Sequence, residues 1–379
     1  MRRSYSIITL GLLALLLMVM FFGCRSKEVE SALIYINQQN DWGKAMEQLD
    51  LALQVNPADV EARVLRGEGF GRLGEYEKMN EDFNTAEKMM AEPGTANAKF
   101  AEKVKYLKDK YWRQSFNKGV GNVKSEKMED AAKDFSNCIT IDPTRPEAHK
   151  NLAYVQVLSD QTEAAMSNYE EAIKIDPKDT EAMFSLANLY LSAKKFQETI
   201  ELMDKVLAAE PGNVDAIAQK AMAFDYLGET DKAFAAYEEA LANRPDDKDL
   251  TFNLGRLYFL KNDYKNAIEQ FKKVLEIAPD DFEANLNTGN AYLSLAENIR
   301  KSLSDLDEKE LAKIPEAEIK EKTDLAKKYF KAAIPYLEKA GKIQPENPVL
   351  WNNLGVAYIN AGMEKEGTEA FKKAEELQK

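Results

Sequence analysis

Small, aromatic and apolar positions recur along this chain at a fixed step. Prolines fall at Pro143, Pro177, Pro211, Pro245 and Pro279, each 34 residues after the last. Ala153, Ala187, Ala221, Gly255 and Gly289 keep the same step, and Gly67, Gly119 and Gly355 extend that small-residue column outward. A second small column holds Ala131, Ala165, Ala233 and Ala267, interrupted once by Thr199. Phe135, Tyr169, Tyr237 and Phe271 form an aromatic column, with Met203 standing in once, and Tyr190, Phe224, Tyr258 and Tyr292 form another. A period of this length is the mark of a repeat architecture and dictates the fold before any local reading.

Each column has a mechanical reason. Two helices per unit pack closely only where one presents Gly or Ala, and the neighbour's ring then fills the space above. Proline ends the second helix and turns the chain toward the next unit. The set W/L/G/Y…A…F…A…P at this spacing resembles the tetratricopeptide repeat family. WNNLGVAY (351–358) is the fullest copy of the family's first helix, and FNLGRLYFLKNDYKNAIEQFKKVLEIAP (252–279) of the whole unit. The resemblance implies an all-α, right-handed α-solenoid of about nine helix-turn-helix repeats covering nearly all of the chain after residue 24. Two repeats are expected over 26–93, five over 112–281, one over 282–347 and one over 348–379.

Two interruptions break the step. Residues 94–111 carry a helical pattern and are expected to lengthen the first helix of the following unit. The second lies inside 282–347, where Pro279 to Pro345 spans 66 residues instead of 34. That insertion, 298–337, is charged with helical spacing and predicts a protruding hairpin broken near Ile314-Pro315, with Pro335 in the return helix. Internal units place apolar residues where one unit meets the next: Ile200 and Leu207, Phe234 and Leu241, Ile268 and Leu275. In 348–379 the same positions hold Thr368 and Glu375, so this unit is expected to present a polar, self-capping face. Asn80 and Glu87 give unit two a half-capped look beside the first interruption, and the alternative to a lengthened helix there is a hinge between a two-repeat membrane-proximal piece and a seven-repeat body.

Residues 1–24 stand apart. Arg2 and Arg3 precede an apolar run, 7–22, that ends at Gly23-Cys24. A small residue directly before such a cysteine resembles the lipobox of bacterial lipoproteins, which implies a lipidated Cys24 and a body anchored outside the cytoplasm, at the outer or the inner membrane. Phe21 and Phe22 stand where that box prefers Leu and a small residue. The alternative is an uncleaved anchor, because 5–23 nearly reaches the ~20 residues that span a bilayer. The other cysteine is Cys138, so a chain cut before Cys24 and lipidated there is left without an intramolecular disulfide. Formal charge is -13, with 45% hydrophobic and 30% charged residues. That composition suits a folded core and argues against nucleic acid, whose phosphates need a basic face.

Catalytic signals are weak. GFGRLG (69–74) matches the dinucleotide fingerprint but lacks a preceding strand. His149 is the single histidine and reads as a surface polar residue, which excludes His-pair metal sites. Cys138 reads as a small packing residue, and Glu170-Glu171 and Glu238-Glu239 as solvated surface. No catalytic constellation, cofactor site or metal site is expected. The polar column with more to say is Asn117, Asn151, Asn253, Asn287 and Asn353, joined three residues on by Asn188 and Asn290. In the family, first helices line the binding face, and amides there can hold a peptide backbone without reading its sequence; the alternative is that Asn is simply common at this place in the repeat and bonds locally. Phe184, Phe252 and Arg256 flank the column and would set specificity; the carboxylate clamp of chaperone-binding members is absent, because Lys150 is followed by Tyr154.

The expectation is a non-catalytic scaffold that binds envelope proteins or peptides, of the kind that serves outer-membrane assembly, pilus biogenesis or exopolysaccharide export. The alternative is an accessory subunit that binds glycan or peptidoglycan for an envelope enzyme.

Overall fold

The computed structural model describes residues 25–92 and 98–378; Cys24 and the leader lie outside them. The described residues form nineteen α-helices and no strand. In order they are α1 (Lys27–Ile34), α2 (Trp42–Val55), α3 (Val60–Leu73), α4 (Tyr76–Met90), α5 (Ala98–Lys124), α6 (Met128–Ile141), α7 (Pro146–Leu158), α8 (Thr162–Ile175) and α9 (Thr180–Ser192). Then follow α10 (Phe196–Ala209), α11 (Val214–Tyr226), α12 (Thr230–Asn243), α13 (Lys248–Leu260), α14 (Tyr264–Ile277) and α15 (Phe282–Ser304). The last four are α16 (Glu308–Leu311), α17 (Glu316–Ile343), α18 (Pro348–Ala361) and α19 (Glu364–Leu377). The fold is all-α, as the periodicity predicts. The chain divides into two compact units at Ala182–Met183, within α9.

In the first unit α1/α2, α3/α4, α5/α6 and α7/α8 pack as helix-turn-helix pairs. In the second, α11/α12, α13/α14, α15/α17 and α18/α19 do the same. Within a unit each pair also touches the next, so the core runs between pairs as well as inside them. Helix starts are cut by a short side chain two residues after each proline. Asp59, Asp179, Asn213, Asp247, Asp281 and Asn347 accept from the backbone N–H three residues on, at 2.9–3.1 Å. These caps satisfy an otherwise orphaned donor at each helix start. Arg145 breaks the column, and there Pro146 opens α7 and needs no N–H partner. The turn between paired helices runs through one left-handed residue, again 34 apart: Glu126, Asp160, Lys194, Gly228 and Asn262.

The close approach inside each pair is direct. A Cβ added at Gly67 would lie 2.5 Å from Phe83 Cε1, at Gly119 2.8 Å from Phe135 Cε1, at Gly255 2.9 Å from Phe271 Cε1 and at Gly355 2.7 Å from Phe371 Cδ1. Each ring stands sixteen residues after its glycine. Gly289 meets Leu337 in the same way, at 2.6 Å, although the second interruption falls between them. The interruption appears as the far ends of α15 and α17 with α16 between them, and Pro335 stands inside α17.

Residues 98–111 are continuous with the first helix of the next pair, making α5 27 residues long. Val104, Leu107 and Tyr111 are buried in one cluster with Met79, Phe83 and Met90. Asn80 does not face open solvent as a cap would. Its amide donates to the carbonyls of Thr140 and Ile141 at the end of α6, and Lys108 holds Asn84 and Glu87. Polar residues in the column therefore serve the joint between pairs. In α19 Thr368 and Glu375 are exposed, whereas Ile200 and Ile268 are buried.

Two glycines of α5 separate the packing constraint from helix propensity. Gly119 faces Phe135, while a Cβ at Gly121 would meet nothing within 4 Å. Gly119→Ala is expected to destabilise by about 1–2 kcal/mol, since overpacking outweighs the helical gain. Gly121→Ala is expected to stabilise by about 0.5–1 kcal/mol. Chemical denaturation of both variants checks this; shifts of the same sign would show that the ring contact does not set the column.

Candidate peptide-binding face

Asparagines at one position of the first helices do not behave alike. Asn151 donates to Glu147 O and Asn287 to Glu283 O, each at 2.8 Å, so both amides are spent on their own helix. Gln219 of α11 donates to Asn188 Oδ1 of α9 at 2.8 Å, and Asn353 of α18 to Asn290 Oδ1 of α15 at 2.9 Å. These are rungs between successive first helices, one in each place where the amide column meets an Asn three residues on. Asn253 has Met222 at that place, and its half-buried side chain makes no hydrogen bond among the described residues. Asn117 is exposed and also unbonded there.

The aromatic column beside them turns inward. Phe116 stacks on Trp112 (centroids 4.8 Å, planes 11° apart) and meets Phe135 edge-on, and Phe252 leans on Phe271 at 5.5 Å. Phe184 is half-buried, and Tyr154 is the open ring, 49% exposed. Arg256 is not a free specificity determinant: it pairs with the nearly buried Asp225 carboxylate of α11. The ten predicted groove residues thus lie on first helices, but they divide between the two compact units and among three kinds of bonding.

The electrostatics of this face rest on caps that double as ion partners. Lys150 binds Asp179 at 2.8 Å and Glu181 at 2.9 Å, and Lys248 binds Asp281 at 3.0 Å. Burial works against the charge of both aspartates. The lysine partner and the backbone donors of Ala182 and Ala284 outweigh it, holding both carboxyls below the usual range. Sequence reasoning passed over this column, although the signal, Pro-x-Asp/Asn before each helix, is plain in 177–179, 211–213, 245–247, 279–281 and 345–347.

The remaining candidates fall into place structurally. GFGRLG lies inside α3, where Gly67, Gly69 and Gly71 are buried, and ends at the left-handed Gly74. His149 is buried rather than on the surface, because Asn168 Oδ1 sits 3.1 Å from its Nδ1 and supplies a polar partner. Cys138 is fully buried, its Sγ 3.5 Å from Trp112 O, and burial pushes the thiol up to about 12. Glu170-Glu171 and Glu238-Glu239 are exposed. Among the described residues no group of three or more His, Cys, Asp or Glu could hold a metal, and no helix is long and apolar enough to cross a membrane.

Three tetratricopeptide repeat models match the sequence, over residues 156–223, 219–282 and 349–379. Those stretches are tetratricopeptide repeats. Such repeats are protein–protein interaction scaffolds, typically without catalytic activity, and they bind protein or peptide partners. A search of the curated proteins found no match. Among solved structures, MamA AMB-1 is 21% identical over 53% of this chain and 99% of its own, with a TM-score of 0.41. A MamA fragment from Desulfovibrio magneticus RS-1 is 21% identical over 45% and 94%, with 0.41. YrrB, described as "a TPR protein with an unusual peptide-binding site", is 21% identical over 58% and 97%, with 0.42.

The paired caps predict acid sensitivity. Both aspartates have depressed folded-state values, so their contribution is complete above the unfolded value, about 3.9, and is lost as pH falls through the lower folded one. Tm is expected to drop as pH falls below about 4. Asp179→Asn with Asp281→Asn keeps the caps, since Asn caps as well as Asp. It should lose at most about 1 kcal/mol per pair at pH 6 and flatten the acid limb. An unchanged acid limb in the double variant would contradict this.

Proposed function

We propose that this chain is a lipid-anchored scaffold of a bacterial cell envelope. In this reading its first-helix face gathers partner peptides or proteins for an assembly or export process of the outer-membrane, pilus or exopolysaccharide type. One combination of features supports the reading. A leader of Arg2-Arg3, an apolar run and Gly23-Cys24 stands directly before a chain of tetratricopeptide repeats. Attachment through Cys24 would place the first helix, which starts at Lys27, close to a membrane surface. Which membrane is left open by the leader.

Asn253, like Asn117, is free to hold a passing backbone. Its amide is unspent, whereas those of Asn151, Asn188, Asn287, Asn290 and Asn353 already have partners within the fold. The glycan-binding alternative needs rings free to stack on a sugar face. Phe116 and Phe252 are committed to other rings, so they lend it no support.

Crosslinked pull-down from membranes tests the reading, with wild type, Asn253→Ala, Asn287→Ala and Cys24→Ser compared per folded molecule. Protein partners are expected from wild type. Asn253→Ala should weaken recovery by about two- to ten-fold, one hydrogen bond's worth, with stability changed by less than about 0.5 kcal/mol. Asn287→Ala should leave recovery level, and Cys24→Ser should abolish fatty-acid labelling and release the chain from membranes. Retention of glycan in place of protein, or unchanged labelling of Cys24→Ser, would contradict it.

A further inference from the structure

The interrupted repeat forms a half-open pocket that the peptide-scaffold reading does not use. Between the far ends of α15 and α17, closed at one end by α16, lies a space of about 430 Å³. That is within the range of small-molecule sites and far larger than a packing defect. Its walls are Ile299, Leu303, Leu311, Ile319 and Phe330, with Ala326 beneath. Two hydroxyls reach it, but Ser304 and Thr323 donate to their own helix at Lys301 O and Ile319 O. The interior therefore offers no spare donor, and an apolar space of this kind gains by exchanging water for hydrocarbon.

The rim differs in kind from the walls. Arg300, Lys322 and Lys327 line it together with Asn360, and no carboxylate does, in a chain whose formal charge is -13. Charged groups on the surrounding elements account for two of the three cations. Lys322 is held by Glu318 at 3.0 Å, and Arg300 has Glu297 at 3.5 Å from Nε while its Nη1 donates to Asn360 Oδ1 at 2.6 Å. The Arg300 guanidinium also lies over the Phe330 ring, 6.0 Å from its centroid. Lys327 makes no ion pair among the described residues and stands exposed at the mouth.

We infer that this cavity binds a single-chain anionic amphiphile, its hydrocarbon between α15 and α17 and its head at Lys327 and Arg300. Walls without donors select the chain, and Lys327, the rim cation with no ion pair among the described residues, selects the sign of the head. An anion there exchanges part of its hydration for charge-assisted hydrogen bonds, which a neutral or cationic head cannot make.

Calorimetric titration of the full chain tests this with sodium decanoate below its micellar concentration, against 1-decanol and decyltrimethylammonium. Wild type is expected to take up one decanoate per chain, saturably, and to hold it more tightly than either control. Thr323→Trp places an indole in the mouth from an exposed position and should weaken decanoate about ten-fold or more. Lys327→Glu should weaken decanoate about ten-fold and leave 1-decanol unchanged. Comparing variants within the same full chain removes any contribution from the apolar residues 7–22. No decanoate binding, equal binding by wild type and Thr323→Trp, or decyltrimethylammonium bound as tightly as decanoate would each overturn the site. Should Thr323→Trp fail to melt cooperatively, Lys327→Glu, at an exposed rim position, decides alone.

Discussion

One contact recurs in pair after pair of the described helices: a side chain too small to keep them apart against a large one that fills the gap. Gly67 and Phe83, Gly119 and Phe135, Gly255 and Phe271, and Gly355 and Phe371 approach so closely that a single added carbon would collide with the ring. Ala153 with Tyr169 and Ala221 with Tyr237 keep the same spacing, and all four are buried. Everything else follows from holding that spacing. The turn must be short enough to bring residue sixteen back onto its glycine, which sets the left-handed residue between the helices. The next helix must start at once, which sets the proline and the capping Asp or Asn. Interior packing is dense enough that the neighbouring pairs inherit this geometry.

The same constraint decides what is left for function. First-helix positions that do not touch a ring are free to hold amides, and three fates are open to them. Some bond their own helix, as Asn287 does; some bridge to the next first helix, as Gln219 and Asn353 do; Asn253 does neither. First-helix amides therefore divide between structural bonds and open positions. Cap aspartates such as Asp281 tie first helices to their neighbours through lysine, so charge on this face is largely paired.

Legibility in the sequence was uneven for physical reasons. Columns that repeat at 34 residues report packing, because every unit faces the same steric problem, and the helices and their pairing were readable from them; the continuous α5 was readable from its helical spacing instead. Side-chain bonding depends on what stands opposite, which one column does not reveal. Asn253 and Asn287 look alike in sequence, yet one is unbonded and the other is spent. His149 looked like surface because it opens a helix, and is buried because Asn168 comes to meet it from the paired helix. Asn80 looked like a cap and instead serves the carbonyls at the end of α6. The hairpin cavity was unreadable for a further reason. It lies in residues that have no counterpart in the other units, so no column predicts what they pack against.

The central claim is that the sixteen-residue contact, and not the surrounding sequence, sets each repeat, and the interrupted unit tests it most directly. Deleting residues 294–325 brings Leu337 to sixteen residues after Gly289. It also places Lys328, Tyr329 and Phe330 where Lys194, Lys195 and Phe196 form the turn of another unit. The measurement is a thermal melt of this excised chain followed by circular dichroism. The account predicts a folded, cooperatively melting protein with helical signal reduced only by the residues removed. Loss of the cooperative transition, or helical loss extending well beyond the deleted segment, would contradict it.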